Sequence, residues 1–534
     1  MVKQFGSVYL IAGISIIGGG LFGFDISSMS AIIAGPGYLC FFNQGDKPCT
    51  GPTSSTQGGI TASMAAGSWL ASLCSGILSD RFGRKTAIMT GAVIWVIGCI
   101  IVSASQNIAM LIVGRIINGF CVGICSAQVP VYISELAPPT KRGRLVGAQQ
   151  WAITWGIMIM FYISYGCSFL KGPAAFRVPW ALQMIPAIVL FFGMFILPES
   201  PRWLASKDRW EECEQVLILT HGHGDPHSPW VAQEFRAIKE WLEIERQSKQ
   251  LSYLTLFTPR YLNRTHVGLF TQIWSQLTGM NVMMYYITYV FTMAGLTGNT
   301  LLVSSSIQYV INVVMTVPAL IWIDRIGRRP TLLVGSSLMA LWLFVNAGVL
   351  GSQGVYVPDG IDGIKEAKVK VTGAASKAVI ACSYLFVASF ASTWGPVSWI
   401  YPPELFPNQL RGKAVAFTTS GNWAFNFALG YFVPPAFENI TWRTYIIFGV
   451  FCVAMTVHVF FMFPETAGKP LEEVNQMFED PHGLKYIGTP AWRTKTSFSA
   501  SARMEQGEGL EKRIDDERDE SPERRETAEA EKVV

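Results

Sequence analysis

The chain has 534 residues, half of them apolar and only 15% charged, with a formal net charge of +4 and a mean hydropathy of +0.33. Its apolar residues gather in runs of about 20, the length that crosses a ~30 Å hydrocarbon core at ~1.5 Å per residue, which excludes an ordinary soluble domain. No basic run interleaved with aromatics points to nucleic acid, and no nucleophile–base set or phosphate loop points to an enzyme.

In chain order the runs predict an all-α membrane protein with twelve transmembrane helices in two halves. Six helices fall near 8–32, 58–79, 86–105, 109–133, 145–168 and 179–197. The first is no cleaved signal peptide, being longer than an h-region of about 7–15 residues and carrying Asp25 within it. Residues 198–265 alternate acids such as Glu211, Glu234 and Glu243 with apolar residues at helical spacing, and read as amphipathic helices on the cytoplasmic face. Six more helices fall near 266–294, 300–323, 330–350, 375–401, 413–436 and 442–463. The expected divisions are a first half at 1–197, a linker at 198–265, a second half at 266–463 and a tail at 464–534. Beyond about 480 the tail is too polar to bury a core and is expected to be disordered.

Lys and Arg crowd the loops after helices two, four, eight and ten, so those loops and both termini are expected in the cytoplasm. The loop between helices nine and ten runs against this rule with Lys365, Lys368, Lys370 and Lys377, partly offset by Asp359, Asp362 and Glu366.

Three sequence features occur twice. Asp80-Arg81-Phe82-Gly83-Arg84-Lys85 returns as Asp324-Arg325-Ile326-Gly327-Arg328-Arg329. Glu135-Leu136-Ala137-Pro138 with Arg142-Gly143-Arg144 returns as Glu404-Leu405-Phe406-Pro407 with Arg411-Gly412-Lys413. Pro198-Glu199-Ser200 returns as Pro464-Glu465-Thr466. A duplicated membrane bundle is a transporter architecture whose substrate site lies where the repeats meet.

Together with Gly114-Arg115, Pro201-Arg202-Trp203 and Gln276-Leu277-Thr278-Gly279, these motifs resemble the sugar porter family of the major facilitator superfamily, over roughly residues 8 to 475. Phe22-Gly23-Phe24-Asp25-Ile26-Ser27-Ser28, Gly59-Ile60-Thr61-Ala62-Ser63-Met64 and Ile273-Trp274-Ser275-Gln276 are most similar to its fungal high-affinity glucose transporters. The resemblance implies a monosaccharide substrate, with a proton as co-substrate and no cofactor or metal.

A sugar's hydroxyls call for amides, which donate and accept at once. Gln150, Gln276, Asn281, Asn312, Asn422 and Asn426 are amides inside apolar spans, and with Trp394 they match positions that contact hexose in the resembled family. Linking helices is the other use of buried amides. Position 275 departs from the pattern: Ser275 stands where many members carry a second glutamine. Asp25 inside helix one, where an ionised group is costly, has Arg115 as its natural partner. In resembling symporters that pair switches with protonation, whereas a static ion pair is the alternative. The pairs Asp80 with Arg84, Glu135 with Arg142 or Arg144, Asp324 with Arg328, and Glu404 with Arg411 are expected to latch the inner side, facing the other half. Outer gates are expected at Tyr285, Tyr286, Trp399 and Pro396, the proline interrupting its helix.

Of the ten cysteines, Cys40 and Cys49 share an outer loop and can pair in an oxidising exterior, while Cys74, Cys99, Cys121 and Cys125 are expected to be buried. Asn439-Ile440-Thr441 is a glycosylation sequon too close to the membrane for ready use, and His221, His223 and His227 read as a polar turn. The sequence leaves three readings open: a proton symporter of hexose at the plasma membrane, a facilitator without ion coupling, or a transporter-like sensor signalling through its tail.

Overall fold

The computed structural model describes residues 6–33, 35–44, 49, 51–137, 142–220, 222, 224–247, 252–358, 360–361, 364, 366–467, 474 and 477–478. At Arg142, Trp241, 244–247, Asp324, Asn408 and Gln409 it describes the backbone alone.

Twelve spans succeed one another as expected. The first is Val8–Ser15 continued by Ile17–Ser30, and a short outer helix, Pro36–Phe41, follows it. The second to fifth are Ser54–Phe82, Arg84–Ser103, Ile108–Leu136 and Arg142–Cys167. The sixth is Ala174–Leu182 with Met184–Phe195. Among the described residues three α-helices, Pro201–Ser206, Trp210–Thr220 and Pro229–Gln247, and a 3₁₀ turn, Tyr253–Phe257, connect the halves. The seventh span is broken into Pro259–Leu277, Met280–Tyr285 and Ile287–Met293. The eighth and ninth are Gly298–Ile326 and Arg328–Gln353. An outer hairpin pairing Val355–Tyr356 with Val369–Lys370 leads to the tenth, Ala374–Ala391 with Trp394–Leu405. The eleventh and twelfth are Asn408–Ile440 and Arg443–Met462.

Two breaks shape the centre. In the seventh span Gly279 takes φ 82°, a left-handed turn that suits glycine and ends the helix. In the tenth the break falls at Ser392–Thr393, ahead of Pro396. Pro396 does not interrupt a running helix, as the sequence suggested. It is the third residue of the new one, where no intrahelical N–H is required. The prolines inside that segment are Pro402 and Pro403.

The bundle is apolar on its surface and buries a set of polar residues within a largely apolar core. Ile77, Phe192, Val314 and Val457 lie exposed on its surface, while Asp25, Arg115, Gln276 and Asn422 are buried. Among the described residues, nine spans are long and apolar enough to cross a membrane on length and composition alone. The fifth, seventh and eleventh are not in that group, and each carries amides into the centre. One expectation fails: Cys74 is exposed, on the side of the second span turned away from the bundle, whereas Cys99, Cys121 and Cys125 are buried.

The second and fourth spans cross at glycines. A Cβ on Gly119 would lie 2.9 Å from Ser68 N and 3.0 Å from Gly67 Cα, so only hydrogen lets the backbones meet. Gly119→Val is therefore expected to lower the detergent melting temperature and surface level of the protein, overpacking here costing about 1–3 kcal/mol or more. Gly166→Ala, whose Cβ meets nothing within 4 Å, should change neither.

Candidate functional site

A small, partly open cavity lies between the halves. The first half lines it with Phe22 and Ile26 from the first span and Gln150, Ile153 and Ile157 from the fifth. The second half supplies Gln276 and Asn281 of the seventh span, Asn312 of the eighth, Phe390 and Trp399 of the tenth and Asn422 of the eleventh.

These polar groups are held by one another. Gln276 Oε1 accepts from Asn281 Nδ2 at 2.5 Å and from Asn426 Nδ2 at 3.1 Å, while Gln276 Nε2 donates to Asn422 Oδ1 at 3.0 Å. Across the halves, Trp399 Nε1 donates to Gln150 Oε1 at 2.9 Å. Asn312 Oδ1 is buried and has no partner among the described residues. A buried acceptor left unmade costs about 1–3 kcal/mol, so its presence in a cavity wall marks a place where a ligand can donate.

The structure thus gathers Gln150, Gln276, Asn281, Asn312 and Asn422 around one space, with Asn426 bonded behind Gln276. Trp394 lies elsewhere: fully buried, it donates from Nε1 to Leu332 O at 3.0 Å, and the indole that lines the cavity is Trp399. Sequence reasoning missed Gln272, whose Nε2 donates to Ser398 O at 2.8 Å and whose Oε1 accepts from Asn422 Nδ2 at 2.7 Å. Its signal was spacing, since position 272 precedes Gln276 by one helical turn. Tyr286 donates to Gly430 O at 3.1 Å, and Tyr285 Oη has no partner among the described residues. Neither tyrosine lines the cavity.

Asp25 and Arg115 form a two-pronged pair, at 2.9 and 3.3 Å, with each residue 1% exposed. Arg115 also donates to Ile60 O at 2.9 Å and Thr61 O at 3.4 Å on the second span. Its cost of burial is met only because so many of its N–H groups find acceptors.

At the end of the bundle that carries the repeated motifs, Arg84 holds Asp80 at 3.1 Å and Glu135 at 3.2 Å. In the second half Arg328 holds Glu404 at 2.8 Å. Glu135 therefore closes on Arg84, which unites two pairs that the sequence set apart, and each of these ion pairs stays inside its own half. Arg411 donates to Phe406 O at 3.2 Å, and the side chains of Arg142 and Asp324 lie outside the described residues. Ser200 and Thr466 donate to Glu135 and Glu404 respectively. Glu199 accepts the backbone N–H groups of Arg84, Lys85 and Ser200, and Glu465 those of Arg328, Arg329, Thr466 and Ala467. Burial pushes the Glu199 carboxyl above the ordinary carboxylate range, while the Ser200 and Lys85 N–H groups and the Arg84 charge pull it back. Gly83 and Gly327 turn at φ 100° and 98°, and a Cβ on either would collide with the glutamate beneath it.

At the opposite end, Cys40 and Cys49 are bonded to each other. The short helix they tether sets Tyr38 so that its hydroxyl donates to Gln57 Oε1 at 3.0 Å. His221 and His223 lie outside the described residues, and no cluster of metal-ligand type occurs among the described ones. Arg328→Ala is expected to lower thermal stability in detergent by roughly 3–5 kcal/mol, the range for stranding one member of a buried pair. Arg209→Ala, which breaks a half-exposed pair with Glu212, should shift the same melting curve by no more than about 1 kcal/mol.

The sequence profile of the family described as Sugar (and other) transporter matches residues 11–478. The high-affinity glucose transporter of Kluyveromyces lactis is 50% identical over 491 residues, 91% of this chain and 87% of that one. High-affinity glucose transporter 1 of Candida albicans is 49% identical over 492 residues, 92% of this chain and 88% of that one. Among solved structures, the proton:xylose symporter XylE bound to 6-bromo-6-deoxy-D-glucose matches with a TM-score of 0.74 at 26% identity, covering 88% of this chain and 99% of that one. A family profile that runs from the first span to the end of the twelfth, with relatives at about half identity over nine-tenths of the chain, fixes the assignment: this chain belongs to the sugar transporter family, as a multi-pass membrane transporter of the major facilitator fold.

Proposed function

We propose that the chain imports hexose, glucose foremost, across a plasma membrane by alternating access and in symport with a proton, both termini being cytoplasmic. The observation that carries this reading is the amide-lined cavity between the halves, with Asn312 Oδ1 buried and unpartnered in its wall. A neutral polyol is the ligand such a wall suits, because it needs donors and acceptors in equal measure and no counter-charge. The names of the glucose-transporting relatives favour glucose within that class.

In this reading residues 1–197 and 266–463 rock against each other, with 198–265 as linker and 464–534 as tail. The seventh and tenth spans, broken at Gly279 and at Ser392–Thr393, supply the bending points on either side of the sugar. Asp25 carries the proton. On protonation its ion pair with Arg115 is lost, and the guanidinium, still bonded to the Ile60 and Thr61 carbonyls, lacks a counter-charge, which favours a rearrangement that gives it one. The proton:xylose symporter as a structural neighbour favours coupling over plain facilitation.

The test is labelled-glucose uptake in cells lacking their own hexose transport, with and without a protonophore. Accumulation above the outside concentration, abolished by the protonophore, is expected; uptake indifferent to it would demote the chain to a facilitator, and absence of uptake would favour the sensor. Gln276→Ala should raise the apparent KM about 5- to 150-fold at unchanged surface level, the equivalent of one lost hydrogen bond and its stranded partner at ~1–3 kcal/mol. Asp25→Asn, unable to ionise, should lose accumulation and pH dependence while retaining sugar binding; a well-expressed Asp25→Asn protein that still concentrates glucose removes this carboxylate from the coupling step.

A further inference from the structure

An amide side chain has a donating end and an accepting end, and which end faces a ligand depends on what fixes the other. Behind the cavity wall these amides form a directional string. It starts at a backbone carbonyl, Ser398 O, which can only accept. Gln272 must present Nε2 to it, at 2.8 Å. That turns Gln272 Oε1 toward the eleventh span, where Asn422 must answer with Nδ2, at 2.7 Å. Asn422 Oδ1 then faces Gln276, which must present Nε2, at 3.0 Å. Gln276 Oε1 is left to accept from both Asn281 and Asn426.

The carbonyl that begins the string is free for a reason written in the sequence. Ser398 lies inside the helix Trp394–Leu405, and its carbonyl would ordinarily accept the N–H four residues on. That residue is Pro402, which has no N–H. Gln272 is 2% exposed, stands one turn behind Gln276 and does not line the cavity.

We propose that Pro402, through the Ser398 carbonyl it leaves open, and Gln272, which occupies that carbonyl, are positioning residues that fix the donor–acceptor polarity of the sugar-facing amides; this rests on the sugar-binding reading above. With the string in place, Gln276 has both lone pairs of Oε1 filled and meets a hydroxyl only as a donor, through its second Nε2 hydrogen. Asn281 carries its oxygen on the edge turned away from Gln276. A sugar hydroxyl lodged here must accept from one amide and donate to another, so the site discriminates against analogues that lack it. Without the anchor, Gln272, Asn422 and Gln276 can turn over together against only the 3.2 Å contact of Asn422 Nδ2 with Ser275 Oγ, and the pattern is no longer unique.

The experiment is glucose uptake by the full chain in cells lacking endogenous hexose transport, with inhibition constants for 2-, 3-, 4- and 6-deoxyglucose. Gln272→Leu is expected to raise the KM for glucose about tenfold with Vmax per surface molecule within twofold of wild type, and to shrink the largest of the four deoxy-sugar penalties at least threefold. Pro402→Ala, which supplies an N–H to compete for Ser398 O, is expected to move KM and the deoxy-sugar profile in the same direction by a smaller factor, and carries the test if Gln272→Leu fails to reach the surface. A wild-type KM and deoxy-sugar profile in the variant that is expressed, or a fall in Vmax with KM unchanged, overturns the inference while leaving sugar transport intact. Wild-type protein that takes up no glucose refutes the sugar reading itself, and the inference falls with it.

Discussion

Inside a bilayer no water is at hand to satisfy a stranded hydrogen-bonding group, and this constraint organises the whole molecule. It accounts for Arg115, which is tolerable only with the Asp25 carboxylate and two second-span carbonyls around it. It accounts for the central amides Gln272, Gln276, Asn281, Asn422 and Asn426, tied to one another and to the Ser398 carbonyl, and for Gln150, which accepts from the Trp399 indole. It also explains why the fifth, seventh and eleventh spans read as the least membrane-like: residues that would weaken a lone helix in lipid are placed where the two halves cover them. Asn312 Oδ1, a buried amide oxygen on the wall with no partner among the described residues, is conspicuous for that reason.

The span ends that carry the repeated motifs obey the same logic with different chemistry. Two glutamates, Glu199 and Glu465, each cap the first N–H groups of the span that follows a left-handed glycine, and two more, Glu135 and Glu404, hold the arginine beside it. The geometry is nearly the same in both halves, so the repeats noted in the sequence are copies of one three-dimensional joint. The Arg84–Glu135 and Arg328–Glu404 pairs each lie within one half and stiffen it. Ser54 Oγ donates to Glu438 at 2.6 Å from one half to the other, and Tyr253 of the linker donates to Leu73 O of the first half at 3.0 Å.

Much of this was legible in the sequence because membrane spans announce themselves by length and the joints by repetition. The amides of the cavity were legible too, since a polar residue within an apolar run has few other uses. What stayed hidden depended on rotation about a helix axis or on where a helix breaks. Trp394 and Trp399 are equally plausible by composition, and only the restart of the tenth span at Trp394 decides which indole reaches the cavity. Pro396 looked like a helix breaker and proved to be a helix starter. Gln272 bore no motif of its own and gains meaning only from a carbonyl on another span. The partner of Glu135 depended on how the second, third and fourth spans converge, which no spacing along the chain reveals.

Asp25 sits on the first span between Phe22 and Ile26, both of which face the cavity, while Arg115 is tethered to the second span through Ile60 and Thr61. The carboxylate and the cavity wall therefore ride on one rod, and the guanidinium on another. A slide or roll of the first span that tightens packing around a bound molecule must alter the 2.9 Å contact between the charges, and a change in that contact must be felt at the wall. Two occupants that never touch would then sense each other through the stiffness of a single turn of helix, with the second span as the fixed reference against which the displacement is measured.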